Sequence, residues 1–322
     1  MSGTPCAICW VDLPEGVLVA AMELTALGLL VLGAVLAEPA SRALAAARWP
    51  TRDPVGALLS WQAIGLAGGL SLLGAGVVYG VAPLDGSLPG ALARLSGELA
   101  AGRVPEELGV THLAALVATL VLGGRLFGVL LATAARTVRA RRRHRDLLDV
   151  LATPWPAAPG ARVLDHPVPV AYCLPGRSSR LVVSAGVLEV LEPDGVRAVL
   201  AHEQAHLRER HDLVVLPFVA WGATASFVRG MVCAQVAVAA LIEMRADDVA
   251  SARATPEELV GALRAVGGSA PAAALSSFTA ALDARIERIS APPPPLPPPI
   301  KLLVRVAALA LVAVPTVVLL LP

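Results

Sequence analysis

Residues 198–212 read AVLAHEQAHLRERHD, and the interpretation of the whole chain starts from this stretch. It follows Pro193 and Asp194, which are typical of a helix start, and its apolar residues recur at three-and-four spacing. His202 and His206 lie four positions apart and therefore share one face of the predicted helix. The pattern H-E-x-x-H places two imidazoles where they can bind one zinc ion.

The glutamate inside the motif, Glu203, is one step round the helix from His202. It can reach a water molecule that a zinc ion activates and can take its proton as the water attacks a peptide carbonyl. The motif therefore predicts Glu203 as the general base of a zinc-dependent peptidase. Such a site also needs a third protein ligand.

Two residues could supply the third ligand. His211 would lie about 140° round a continuing helix from His206, and no glycine stands between them to turn the chain back. The extended pattern H-E-x-x-H-x-x-G-x-x-H is therefore absent. Glu243 fits better, because Asp247 follows it one turn later on the same face of another predicted helix. We expect Glu243 to bind the metal and Asp247 to hydrogen-bond a ligand imidazole.

The composition predicts a membrane protein. Of the 322 residues 56% are apolar, the mean hydropathy is +0.69 and the net charge is only +1, so nothing favours direct nucleic-acid binding. A spanning helix needs about 20 apolar residues. Four segments qualify: residues 16–37, 55–81, 110–135 and 302–321. No cleavable signal peptide is evident, and the first segment is expected to be a retained helix.

Arginines predict the orientation of the chain in the membrane, since basic loops stay in the cytoplasm. The loop after the first segment contains Arg42, Arg48 and Arg52, and the third segment runs into an arginine-rich stretch, residues 136–145. We therefore expect both termini outside the cell membrane and the segment after residue 145 in the cytoplasm.

The chain is expected to divide into four parts. Residues 1–145 form a membrane region with three helices, residues 146–290 a cytoplasmic peptidase domain, residues 291–300 a Pro-rich linker and residues 301–322 the last membrane helix. The domain begins with short β-branched runs at residues 162–164, 168–174 and 180–184, which predict a small sheet. The predicted fold is a mainly α membrane protein with an inserted α+β zincin-like domain.

The apolar segment of residues 213–242 cannot cross the bilayer once, because His206 and Glu243 would then lie on opposite sides and could not share a metal. It is too short to cross twice. We therefore expect two shorter helices, buried in the domain or lying at the membrane surface, with the active site close to the bilayer.

An ordered set of residues resembles a known family. It comprises residues 171–174, 181–184 and 198–203, the tripeptide at 210–212, and Glu243 with residues 246–248. This set is similar to the BlaR/MecR-type integral-membrane zinc peptidases and, more distantly, to the HtpX and Ste24 type. The resemblance covers roughly residues 140–255 and implies a gluzincin-like domain with Zn²⁺ on His202, His206 and Glu243. In the antibiotic-sensing branch a penicillin-binding domain follows the last helix; no such domain is expected here, and β-lactam sensing is therefore not expected.

Three functions are compatible with these patterns. The leading one is a regulated endopeptidase that cuts a cytoplasmic transcriptional repressor or a membrane protein. The second is a non-catalytic zinc-binding membrane sensor or scaffold, against which the intact Glu203 argues. The third, a transporter or channel, has little support because few polar residues lie within the predicted spans, Glu23 and Arg125 being expected to be structural.

The remaining cysteines and histidines that were considered are not expected to bind a metal. Cys6 and Cys9 have C-x-x-C spacing but no second pair, so a redox or metal role is not expected. His112, His144 and His166 are likewise expected to lie outside any metal site.

Overall fold

The fold is taken from a computed structural model, which describes residues 15–176, 179–267 and 275–320. Within these residues the chain is mostly helical, with one small sheet between α5 and α6. The helices are α1 Glu15–Val35, α2 Ser41–Ala46, α3 Pro54–Val81, α4 Leu88–Ala100, α5 Val110–Leu151, α6 Ala185–Val190, α7 Pro193–Arg208, α8 His211–Thr224, α9 Arg229–Ser251, α10 Pro256–Gly267, α11 Leu275–Ser290 and α12 Pro298–Leu320. A π-helical turn, Leu36–Ala40, joins α1 to α2, and a 3-10 turn, Trp49–Arg52, precedes α3.

Four helical segments of the described residues are long and apolar enough to cross a membrane, as the sequence predicts. They are Gly16–Ala46, Pro54–Val81, Val110–Leu151 and Pro298–Leu320. Two of them differ from their predictions. The first continues past residue 37 through the π-helical turn to Ala46, and the third continues without a break through the arginine-rich stretch to Leu151. Arginine is a good helix former, so the chemical change near residue 136 marks no helix end.

The sheet has four short strands, β1 Ala152–Pro154, β2 Ala161–Leu164, β3 Ala171–Leu174 and β4 Arg180–Ser184. Their spatial order is β1-β2-β4-β3, with β2 and β4 parallel and the other pairs antiparallel. The predicted run at residues 168–174 is shortened to β3, and β1 was not predicted. Because β3 comes last in the spatial order, it lies at an edge of the sheet.

The chain forms two compact units. Among the described residues, one comprises Glu15–Leu36, Leu66–Gly124 and Leu311–Leu320. Its core includes Met22, Leu29, Val78 and Val81, and it contains α4, a helix that the sequence did not predict.

The other unit comprises Ala37–Gly65 and Arg125–Ala310. It contains the sheet, the H-E-x-x-H helix and the segment of residues 213–242, which forms two helices, α8 and α9, as expected. The unpredicted helices α10 and α11 complete this unit, and the predicted linker is shorter than expected because α12 already begins at Pro298.

Candidate metal centre

The H-E-x-x-H motif lies on α7, where local sequence explains the helix. Pro193 occupies the first turn without losing a needed hydrogen bond, and Asp194 adds negative charge at the N-terminal end. The small side chains of Ala198 and Ala201 are buried in a core shared with α9, α10 and α11. Because α7 can approach these helices closely, His202 and His206 come within reach of side chains on α9.

The three predicted ligand side chains come together in the structure. The Nε2 atoms of His202 and His206 lie 3.1 Å apart. Glu243 lies 3.4 Å from His202 Nε2 through Oε2 and 3.6 Å from His206 Nε2 through Oε1. Ligand atoms about 2.0–2.1 Å from a tetrahedral zinc ion are about 3.3–3.4 Å from one another. The donor types and the spacing of this triangle therefore fit a zinc ion.

Behind the triangle, two buried side chains brace the ligands. Oδ1 of Asp247 lies 3.0 Å from His202 Nδ1, and the Asp247 side chain is 1% exposed. Arg285, on α11, donates from Nε and one terminal nitrogen to Asp247, at 2.8 and 2.7 Å. Its other terminal nitrogen lies 3.0 Å from Glu243 Oε2. Asp247 thus occupies the position that the sequence predicts, whereas Arg285 was not anticipated.

His211 touches the site from the far side of His206. The expectation of a continuing helix was wrong, because α7 ends at Arg208 and Arg210 adopts a left-handed backbone conformation with φ of 50°. A side chain other than glycine can adopt this conformation at a cost of about 1–2 kcal/mol. The turn brings His211 Nδ1 to 2.9 Å from His206 Nδ1, the ring nitrogen that faces away from Glu243. His211 therefore contacts a ligand ring and is not itself part of the triangle.

The contacts of His211 continue outwards. Its Nε2 lies 3.4 Å from Glu209 Oε2, and Glu209 accepts two-pronged hydrogen bonds from Arg245 of α9 at 2.6–3.0 Å. An imidazole whose second nitrogen is fixed in this way keeps its ring orientation. The ring of His206 is therefore held from behind by His211, as His202 is by Asp247.

Glu203 lies beside the triangle and against the edge strand β3. Its carboxylate interacts with the backbone N–H and the thiol of Cys173. Burial, with the charge of Glu243 adding to it, raises the pKa of Glu203 to about 7. Burial and the nearby Glu203 raise the pKa of the Cys173 thiol to about 12, so this thiol stays protonated. A carboxyl group that titrates near neutrality is suited to accept and return a proton.

The charges of the site favour a bound cation. Burial opposes protonation of His202, but the carboxylates of Asp247 and Glu243 outweigh it and raise the pKa of His202 to about 9. Burial and the charge of His202 lower the pKa of His206 to about 4. Without a metal, one protonated imidazole thus lies between two carboxylates. A divalent cation would take over that positive charge and release the proton.

The other residues singled out in the sequence lie elsewhere. Within residues 15–176, 179–267 and 275–320, the His202, His206 and Glu243 group is the single cluster suited to a metal. His144 contacts the Tyr172 hydroxyl at 2.8 Å, His166 contacts its own loop at Val168, and His112 lies 3.9 Å from Glu23. Cys6 and Cys9 lie outside the described residues.

Two contributors escaped sequence reasoning. Arg285 is far along the chain from Asp247, so no spacing rule connects them. The role of His211 was hidden by the turn at Arg210. Only charge balance pointed to Arg285. The site holds two carboxylates, Asp247 and Glu243, and buried carboxylates require cationic partners.

Two histidines lie one turn apart on one helix, a glutamate from a second helix completes the group, and a further glutamate lies beside them. This arrangement is typical of a metallopeptidase site. Comparison with known proteins agrees with this class. Residues 134–266 match the family model of Peptidase family M48. The match supports an M48-type metallopeptidase domain in this part of the chain.

A curated relative agrees with the family match over a short stretch. "Protease HtpX homolog" from Thermoplasma acidophilum is 45% identical over 47 residues, which is 15% of this chain and 15% of the relative. The matched stretch therefore spans a small fraction of the relative's length. No solved structure gives a significant match. These findings support an M48-type domain within residues 134–266, and the BlaR/MecR subtype stays a prediction.

Proposed function

We propose that this chain is an integral-membrane zinc-dependent endopeptidase that hydrolyses peptide bonds of protein substrates. The single observation that carries the proposal is the convergence of His202, His206 and Glu243 beside Glu203. In this proposal the first three residues hold Zn²⁺ and Asp247 orients His202. The catalytic domain corresponds to residues 146–290.

A zinc ion held by these residues would polarise a peptide carbonyl and make a water molecule more acidic. The chain's own contribution is proton transfer and orientation. Glu203 is close to the ligands and its pKa is near 7, so it can accept a proton from the attacking water and deliver it to the departing amine. Asp247 and His211 keep the two imidazole rings in place.

The edge strand β3 offers a way to align a substrate. Its outer edge faces Glu203, because the Cys173 N–H points to that carboxylate and the other edge pairs with β4. An extended peptide can add to such an edge by main-chain hydrogen bonds. In this arrangement the peptide would run past Glu203, and recognition would depend little on side-chain identity.

A regulatory role is a further part of the proposal, with a cytoplasmic transcriptional repressor or a membrane protein as the substrate. It rests on the resemblance to BlaR/MecR-type peptidases. The proposed topology, with both termini outside and the peptidase domain in the cytoplasm, rests on the arginines that flank the candidate spans.

The test compares wild type with Glu203→Gln, with Glu189→Gln as a matched control because Glu189 is exposed on α6. Each protein is purified in lipid nanodiscs, its zinc content is measured, and cleavage of a broad peptide library and of the chain itself is followed. We expect stoichiometric zinc in all three and cleavage that is lost only in Glu203→Gln. Zinc without cleavage in any of them would favour the non-catalytic sensor, and absence of zinc would refute the ligand assignment.

A further inference from the structure

The hairpin formed by α8 and α9, from His211 to the middle of α9, exposes several apolar side chains, with the exposed Arg229 two residues from its tip. Phe227 at its tip is 85% exposed, and Val236 and Val232 on α9 are 68% and 46% exposed. Burying a side chain of this size is worth about 1.5–3 kcal/mol. The apolar side chains favour hydrocarbon over water, and the long Arg229 side chain has to reach polar groups from this position.

The opposite face of the hairpin packs along a candidate membrane span. Trp61 of α3 is 1% exposed and shares a core with Phe218 of α8 and Val238 of α9. Further along α3, Gly65 faces the ring of Phe218. Gly65 is about 16 Å along the helix from Pro54, at 1.5 Å per residue. The hairpin therefore follows α3 well beyond its first turns.

Two charged side chains meet the helix ends at the tip. Arg125 of α5 lies 3.4 Å from the carbonyl oxygen of Ala223, in the last turn of α8. Glu38 accepts a hydrogen bond of 2.7 Å from the N–H of Gly230, in the first turn of α9. A cation at a helix C-terminus and an anion at an N-terminus both complement the helix dipole. Arg125 lies in the otherwise apolar part of α5, and Glu38 also forms an ion pair of 3.6 Å with Arg42.

Two amide side chains also bind backbone carbonyls of α8. Gln62 of α3 donates to the carbonyl oxygen of Val214 at 2.8 Å, and Gln235 of α9 donates to that of Phe218 at 2.7 Å. Both amide groups are partly buried, and an amide group removed from water needs a hydrogen-bond partner of this kind.

We propose that the α8–α9 hairpin is a re-entrant membrane element, inserted into the hydrocarbon from the arginine-rich side with Phe227 at its deepest point. Its apolar surface is covered by lipid acyl chains. With a hydrocarbon core of about 30 Å, the contacts with Gly65 and Arg125 correspond to a depth of roughly half the bilayer. Both helices return to the side from which they enter, so His206 and Glu243 stay on the same side of the bilayer.

This insertion sets the distance between the metal site and the membrane. Glu243 lies on the same helix as Val232 and Val236, about 24 Å from the tip at 1.5 Å per residue. If the tip lies near the middle of the bilayer, the site lies at the membrane surface. Peptide segments that emerge from the bilayer would reach it first.

Depth measurement by spin labelling tests the insertion independently of catalysis. Single cysteines are introduced as Phe227→Cys and Val236→Cys in a background without the four native cysteines, in lipid nanodiscs. Leu309→Cys, 73% exposed on α12, is the lipid-facing control, and Val190→Cys, 60% exposed on α6, is the water-facing control. Collisions of each label with oxygen, which enters lipid, and with a polar nickel chelate, which does not, are compared.

We expect the labels at Phe227 and Val236 to behave like the label at Leu309, with collisions with the nickel chelate about tenfold fewer than at Val190 and frequent collisions with oxygen. Chelate collisions as frequent as at Val190 would place the hairpin in water and overturn the proposal. Protection from both reagents would mean that protein, such as a second copy of the chain, covers the hairpin, and would also overturn it. Zinc content is measured on each variant, so a loss of the metal site is recognised separately.

Discussion

Arg285 provides the sharpest test of how the metal site is supported. Its guanidinium joins Asp247 and Glu243, and its side chain is only 15% exposed. Arg285→Ala would leave Asp247, which is 1% exposed, with His202 as its remaining partner. Breaking a buried ion pair on one side costs about 3–5 kcal/mol. Loss of support behind a metal ligand typically costs 10–100-fold in metal affinity, and we expect both effects here.

The assay combines thermal unfolding in detergent with competition for zinc by a chelator of known affinity. Arg288→Ala is the matched control, because Arg288 lies on the same helix with the same exposure but binds Asp248 and the Thr51 carbonyl. We expect Arg288→Ala to change zinc affinity less than about twofold, and Arg285→Lys to recover it only in part, since lysine lacks the planar fork. Equal zinc affinity in wild type and Arg285→Ala would refute the bracing role of Arg285.

Three further predictions address neighbouring features. Glu203→Gln should stabilise the metal-free protein by about 3 kcal/mol at pH 8. The folded pKa of Glu203, about 7, exceeds the ordinary 4.5, so the stability of the wild type falls as pH rises between these values; a gain that persists at pH 4 would contradict this. His211→Phe should lower zinc affinity about 10-fold by freeing the His206 ring, and unchanged chelator competition would exclude a positioning role. Gly186→Ala should destabilise the protein by about 1–3 kcal/mol, because its Cβ would clash with the Pro167 carbonyl oxygen. Gly261→Ala, in open space on α10, should stabilise it by about 0.5–1 kcal/mol, and thermal scans showing the reverse order would contradict the packing.

The parts of the site that sequence predicts are those governed by local geometry. His202, Glu203 and His206 follow from helical spacing, and Asp247 follows from its position one turn after Glu243. The approach of Glu243 to the two histidines was predicted only from chemistry, because zinc needs a third ligand. It depends in the structure on the close packing of α7 against α9, which small alanines allow.

The parts that sequence does not predict depend on contacts between distant segments or on unusual backbone conformations. No pattern relates Arg285 to Asp247, since the two residues come from different helices. The turn at Arg210 violates the preference of side-chain-bearing residues for negative φ, so a continuing helix was the natural expectation.

In the membrane region, too, some features follow from the sequence and others do not. Length and hydropathy predict the four candidate spans. The role of Arg125 required the structure, because its partner is a backbone carbonyl of α8 and no spacing rule connects these two distant segments.

The most direct test of the central claim, that His202, His206 and Glu243 together bind zinc beside Glu203, is X-ray absorption at the zinc edge on the purified protein. We predict stoichiometric zinc with two imidazole nitrogens and carboxylate or water oxygens at about 2.0–2.2 Å, and loss of the zinc in Glu243→Ala. Sulfur ligands at about 2.3 Å, or zinc retained unchanged in Glu243→Ala, would contradict the account.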